Sequence, residues 1–291
     1  MPNPTPAPAR PEGHPDGPPE THPDPEAFAR DWRAWHRERE RSLAAPHGFL
    51  AITSMRWLTP EPARFEDAPG AWSTDDDGAV LVTLADGETL TVDGEPVHGR
   101  HRFDALADGG SVFPVSGDLV IEVARRGGQA LLRPRDPANP LRTGFTGTPV
   151  FAPDPAWARP GRFLPFDAPR PVRVGAVVEG LEHVLEAPGQ VAFDLDGATH
   201  RLTAFNGGRP GALFVLFTDA TSGVSTYAAN RSLSIEPPDA AGRVTVDFNR
   251  AVNLPCAYTD LATCPLPPCE NRLAPAVEAG ERLPRERGGT P

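Results

Sequence analysis

The spacing of apolar residues changes period along the chain, and the changes mark its elements. Phe28, Trp32, Trp35 and Leu43 recur at roughly helical intervals. Asp24 can cap that segment, Pro25 suits a first helical position and Glu26 falls in the first turn. Arg30, Arg33, Arg37, Glu38, Arg39, Glu40 and Arg41 occupy the other faces. The pattern predicts an amphipathic helix over 24–45 with an aromatic stripe packed on the rest of the protein and a solvated face of mixed charge. From Phe49 the period shortens to that of strands. The runs 79–84, 89–92, 119–123 and 130–133 alternate with Asp86-Gly87, Asp93-Gly94 and Gly127-Gly128, which read as hairpin turns. Residues 46–135 therefore read as a small antiparallel β unit.

A proline-rich stretch over 136–165 reads as a linker, and a second β series follows within 166–284. Its strands are expected at 172–174, 190–195, 200–205, 212–217, 232–235 and 243–248, with turns at Asp196-Gly197 and Gly207-Gly208. Leu213 to Phe217 is apolar on both faces and reads as a buried central strand. Helices of crossover length are missing from this half, which disfavours βαβ units. The fold class is mainly β. One helix precedes a small N-terminal antiparallel unit, and a C-terminal antiparallel β-barrel or sandwich follows, a split barrel being one form it can take.

Composition adjusts this picture at the ends. Ten of the 37 prolines fall in the first 25 positions, so residues 1–23 read as a polar tail unable to offset its ordering entropy, and 285–291 as a second such tail. With no export signal and no long apolar run, the expected location is cytoplasmic and no membrane partner is expected. A net charge of −11 with dispersed arginines argues against nucleic acid. The oligomeric state is not legible.

Two polar stretches interrupt the second β series: 218–231, with Thr221-Ser222-Gly223, Tyr227 and Arg231, and 247–272. The second is an irregular loop of more than twenty residues whose cysteines, Tyr258 and prolines imply rigid packing, and such loops usually carry function. Asp-Phe-Asn-Arg-Ala at 247–251, Pro-Cys-Ala-Tyr-Thr at 255–259, Ala-Thr-Cys-Pro-Leu-Pro-Pro at 262–268 and Glu-Asn-Arg-Leu at 270–273 carry a resemblance. Together with Asp-Ala-Thr-Ser-Gly at 219–223 they resemble the uncharacterised prokaryotic family known as domain of unknown function 1684, over about residues 30–283. The resemblance implies a shared fold and site without naming a reaction. The chain departs from the family pattern at Ala228-Ala229-Asn230, where glycines are usual, and at Cys269, where a proline is usual; this argues against a family-wide role for Cys269.

Cys256, Cys264 and Cys269 are spaced C-x7-C-x4-C, with no histidine after His200. That spacing does not match structural zinc, so no metal is expected, and packing is the favoured role for Cys256 and Cys264. No Gly-x-Ser-x-Gly elbow, Gly-x-Gly-x-x-Gly fingerprint or Walker loop is present, and no cofactor is expected. Arg231, Asn249, Arg250, Asn271 and Arg272 offer planar donors suited to carboxylate or phosphate, and Tyr227 or Tyr258 could stack over such a ligand. The leading reading is a pocket for a small anionic or polar molecule, formed by the C-terminal domain and the loop 249–272. The alternatives are an enzyme, hydrolase or flavin-type oxidoreductase, using Asp247 or Glu270 as general base in the same pocket, and a structural or partner-binding module. The competing role for these residues is internal: the arginines and acids pair with one another and pin the loop.

Overall fold

The computed structural model describes residues 24–285. Helix α1 spans Pro25–Leu43, and the Asp24 carboxylate accepts from the backbone N–H groups of Glu26 and Ala27, as the sequence led one to expect. Trp32 and Leu43 from its apolar stripe are buried, and Trp35 is half-buried.

The N-terminal β unit is a sandwich. One sheet pairs Arg56–Trp57, Gln129–Arg135, Leu119–Arg126, Val115–Ser116, Leu90–Val92 and Glu95–Val97 in that order, with Ser111–Val112 also on the central strand. The other pairs Ala63–Phe65, Ala68–Thr74, Val80–Thr83 and Arg100–Arg102. Trp72, Val82 and Leu84 meet Leu90, Ile121, Val123 and Leu132 between them. Gly127-Gly128 and Asp93-Gly94 close hairpins, with both residues of each turn at positive φ. That left-handed pair is what a tight hairpin turn requires.

Asp86-Gly87 behaves differently from expectation. Strand Val80–Thr83 pairs with Arg100–Arg102 in one sheet, whereas Leu90–Val92 pairs with Glu95–Val97 in the other. Only Gly87 has a positive φ, and the Glu88 carboxylate accepts from Ala85 N–H and pairs with Arg64. The turn therefore carries the chain from one sheet to the other.

The stretch read as a linker holds structure of its own. Helix α2 spans Pro140–Thr143, and Ala158–Gly175 forms an 18-residue strand despite its prolines. That strand pairs Glu182–Leu195 on one side and Arg243–Asp247 on the other, its register shifting between Pro165 and Arg170. Prolines donate nothing to a ladder; Pro169 falls within the irregularity, whereas Pro160, Pro165 and Pro171 hold paired register positions. The six-stranded sheet continues through Ala198–Asn206, Leu213–Phe217 and Arg231–Ile235, and curls into a half-barrel whose two edge strands approach one another. Phe193, Leu202, Val215, Phe217, Leu233, Val246 and Phe248 fill its interior. The buried strand expected at Leu213–Phe217 lies between two others. Among the described residues, no helix is long and apolar enough to cross a membrane.

Candidate functional site

The loop after Arg243–Asp247 is ordered by three single turns, Phe248–Arg250, Pro255–Ala257 and Cys269–Asn271, and by isolated bridges that tie Val252 to Ser232, Pro265 to Ala176 and Arg272 to Thr218. Its conspicuous polar side chains divide into two groups.

One group holds backbone. Arg231 is 1% exposed, and its Nη2 donates to Asp219 Oδ2 and to the Val277 carbonyl, both at 2.9 Å. Its Nη1 donates to the carbonyls of Ala279 and Glu281. Among the described residues its Nε has no hydrogen-bond partner, and the guanidinium faces the Phe217 ring at 5.3 Å. Burial pulls the Arg231 pKa below the ordinary arginine value, against the attraction of Asp219. The other Asp219 oxygen accepts from Thr221 N–H, Thr221 Oγ1 and Val277 N–H.

The two asparagines work the same way. Asn271 Oδ1 accepts from Thr203 N–H, and its Nδ2 donates to the carbonyls of Thr203 and Leu216. Asn249 Oδ1 accepts from Asp154 N–H, and its Nδ2 donates to the Asp154 carbonyl and to Asp247 Oδ1. An amide nitrogen has two protons, so neither side chain has one left for a ligand.

The two tyrosines differ in burial. Tyr258 packs between Phe49 and Phe145, and its OH meets Thr148 Oγ1 at 2.8 Å and donates to Glu281 Oε2 at 3.3 Å. Burial and the Glu281 charge raise its pKa above the ordinary range. Tyr227 is half-buried against Leu216, Leu254 and Cys256. Cys256 and Cys264 are buried and Cys269 is exposed, and none of the three is in a disulfide. Cys256 N–H donates to Cys264 Sγ at 3.3 Å. The hydrogen bond shared with Cys264, with burial, pushes the Cys256 thiol up, and the same bond holds Cys264 below its ordinary value. Among the described residues, no three His, Cys, Asp or Glu side chains are grouped to hold a metal.

The second group faces open space. Asp247 Oδ1 caps the Phe248–Arg250 turn by accepting from Asn249 N–H, and its Oδ2 meets Arg250 Nε at 3.2 Å. Arg250 also pairs with Asp31 of α1 and lies 5.5 Å from the Trp35 ring centroid. These groups line a cavity of about 610 Å³ with Arg39, Arg209, Ser234, Glu236, Thr245 and Val252. Arg39 enters from α1. Burial opposes its charge, but Glu281 Oε1, 3.0 Å from its Nε, outweighs this and raises its pKa. Arg39 Nη2 donates to the Asn253 carbonyl. Trp32 Nε1 donates to the Asn249 carbonyl at 2.7 Å, so the helix is bonded to the loop beside the cavity.

Of the residues singled out from sequence, Asp247 and Arg250 are thus brought together at a cavity. Arg231, Asn249, Asn271, Tyr227 and Tyr258 are drawn inside the protein. Glu270 and Arg272 are exposed; Glu270 Oε1 accepts from Thr203 Oγ1, and Arg272 contributes its backbone to the bridge with Thr218. Trp35, Arg39 and Arg209 were missed as site residues. The signal for two of them was the aromatic and arginine pattern of α1, read as packing and solvation alone.

No curated protein matches the chain. An uncharacterized protein of Haloarcula marismortui, known from a solution NMR structure, is 34% identical over 48% of this chain and 78% of its own, with a TM-score of 0.41. Residues 143–282, which hold the half-barrel, the loop and the Arg231–Asp219 pair, match the family described as Protein of unknown function (DUF1684), and the chain belongs to that family.

Proposed function

We propose that the protein binds a small anionic or polar molecule in the cavity between α1 and the half-barrel. The observation that carries this is the lining. A chain with a formal charge of −11 places three arginines, Arg39, Arg209 and Arg250, around one cavity of about 610 Å³ that holds two carboxylates, Asp247 and Glu236. Such a volume suits a metabolite-sized ligand. Trp35 supplies an apolar wall, and the Ser234 and Thr245 hydroxyls lie within the same lining. In this reading Arg250 exchanges part of its exposed contact with Asp31 for an acidic group of the ligand, and Asp247 keeps its orientation. The ligand set retains Asp247 and Arg250 from the sequence candidates and adds Trp35, Arg39 and Arg209. A catalytic reading gains no comparable support: Glu270 does not line this cavity, and both Asp247 oxygens are engaged within the turn.

The test is a thermal-shift screen against acidic and polar metabolites, since a molecule that binds only the folded state raises its stability. Hits should weaken about tenfold in Arg250→Gln and in Trp35→Ala, the loss expected for one charged hydrogen bond or one aromatic wall. Hits unaffected by either substitution would place the ligand elsewhere.

A further inference from the structure

A second cavity lies on the other flank of the loop, where the N-terminal sandwich meets it. Its volume is about 220 Å³, and it is lined by Phe49, Ile52, Arg126, Arg133, Arg135 and His183 together with loop residues Pro255 and Ala262 to Pro265. The three arginines converge on one acid. Glu122 and Arg133 are cross-strand partners, and Arg133 grips the carboxylate with Nε at 3.0 Å and Nη2 at 2.6 Å. Arg135 Nη2 donates to the same carboxylate, and Arg126 Nη2 reaches it at 3.3 Å. Three guanidinium groups converge on the Glu122 carboxylate, with the Asp108 charge also acting on Arg126, and among the described residues no carboxylate lines the cavity. The Arg133 side chain is 9% exposed, and among the described residues the buried Arg135 Nε has no hydrogen-bond partner. Enclosed donors and enclosed charge of one sign are costly unless something compensates them.

We infer that this cavity is a second binding site, for a small oxyanion of the phosphate or carboxylate class held by Arg133 with Arg126 and Arg135. Arg133 is suited to it. Its Nε and Nη2 edge is fixed by Glu122, so the plane of its guanidinium is set before the ligand arrives. His183 already meets the Thr263 carbonyl through Nε2 at 2.6 Å, so the loop side of the cavity is fixed as well. The Cys264 thiol is part of the wall, so a bound anion would lie beside it. This site is independent of the one between α1 and the half-barrel, with which it shares no lining residue.

The experiment titrates the protein with inorganic phosphate, and separately with acetate, by calorimetry at constant ionic strength balanced with chloride. Saturable binding of phosphate or acetate is expected, weakened about tenfold or more in Arg133→Gln and unchanged in Arg250→Gln. Whichever anion binds tighter identifies the tetrahedral or the planar class. Saturating anion should also slow alkylation of Cys264, read by mass spectrometry, while exposed Cys269 reacts at its usual rate. If Arg133→Gln does not fold, Arg126→Gln leaves the Arg133–Glu122 grip in place and should still weaken binding several-fold. No saturable binding of either anion overturns the assignment. So does binding that survives the folded variant at the triad, and so does binding lost in Arg250→Gln, which would move the anion to the other cavity.

Discussion

Arg231 and Arg250 are both arginines of the same half-barrel, nineteen positions apart in sequence, and they do opposite things. Arg231 is enclosed, and Asp219 and three backbone carbonyls take up four of its contacts. Arg250 is about a third exposed, and its partners are the half-buried Asp247 and the exposed Asp31. The difference lies in what each region must satisfy. The segment 277–281 offers carbonyls that no strand pairs, and Arg231 supplies several donors from one fixed plane. The region around Arg250 has its backbone already satisfied by the Asp247 cap, the Asn249 amide and Trp32, which frees the arginine to face a cavity. Two polar side chains with the same chemistry are therefore separated by the backbone around them.

The sharpest way to break this contrast is Arg231→Met. It strands a buried Asp219 carboxylate and three carbonyls, and should cost about 3–5 kcal/mol or prevent folding, measured by urea denaturation. A second prediction uses acid. Burial alone would raise Glu122, but the charge and hydrogen bonds of Arg133, with those of Arg135, hold it at about 2 against an ordinary 4.5. Its folded pKa is depressed, so its contribution is complete above about pH 5 and is lost as pH falls toward 2. The loss should approach about 3 kcal/mol, and Glu122→Gln should flatten the stability profile across that window. Third, Trp32→Phe removes the bond to the Asn249 carbonyl and should cost about 1 kcal/mol while loosening α1, visible as faster amide exchange across the helix. The smallest stability effect belongs to Arg250→Gln: less than about 1 kcal/mol, since its pair with Asp31 is largely solvated. A loss for Arg250 as large as that for Arg231 would erase the distinction and make both residues clamps.

The fold was legible wherever a local rule decides it. Asp93-Gly94, Gly127-Gly128 and Asp196-Gly197 each carry positive φ at both positions and each closes a hairpin. Asp86-Gly87 shares the dipeptide but crosses between sheets, because strand partners are chosen by the apolar faces that meet across the sandwich. The length of Ala158–Gly175 was hidden by its prolines, three of which hold paired register positions in the ladder. At the cavities, the sequence brought out the loop and its arginines, but it could not show which donors point inward. Asn249 and Asn271 look like ligand-binding amides until their protons are counted against particular carbonyls. Arg39 and Trp35 lie more than two hundred residues before the loop, and only the tertiary fold joins them to it. Glu122 and Arg133 carried a signal not followed at first: charges inside the apolar runs Val120-Ile121-Glu122-Val123 and Leu131-Leu132-Arg133 are out of place in a plain strand.

The partners of α1 also set an order in time. Trp32 waits for the Asn249 carbonyl, 217 positions later, and Arg39 waits for Glu281, 242 positions later. At the usual pace of synthesis, roughly 5–20 residues per second, that is an interval of about 11–48 s between making the helix and making what it binds. For that time the Trp32–Trp35 stripe lacks the loop partner it meets in the folded protein. Glu281 is the last of these partners to be made, and it takes Arg39 Nε, Asn253 N–H and the Tyr258 hydroxyl on one carboxylate.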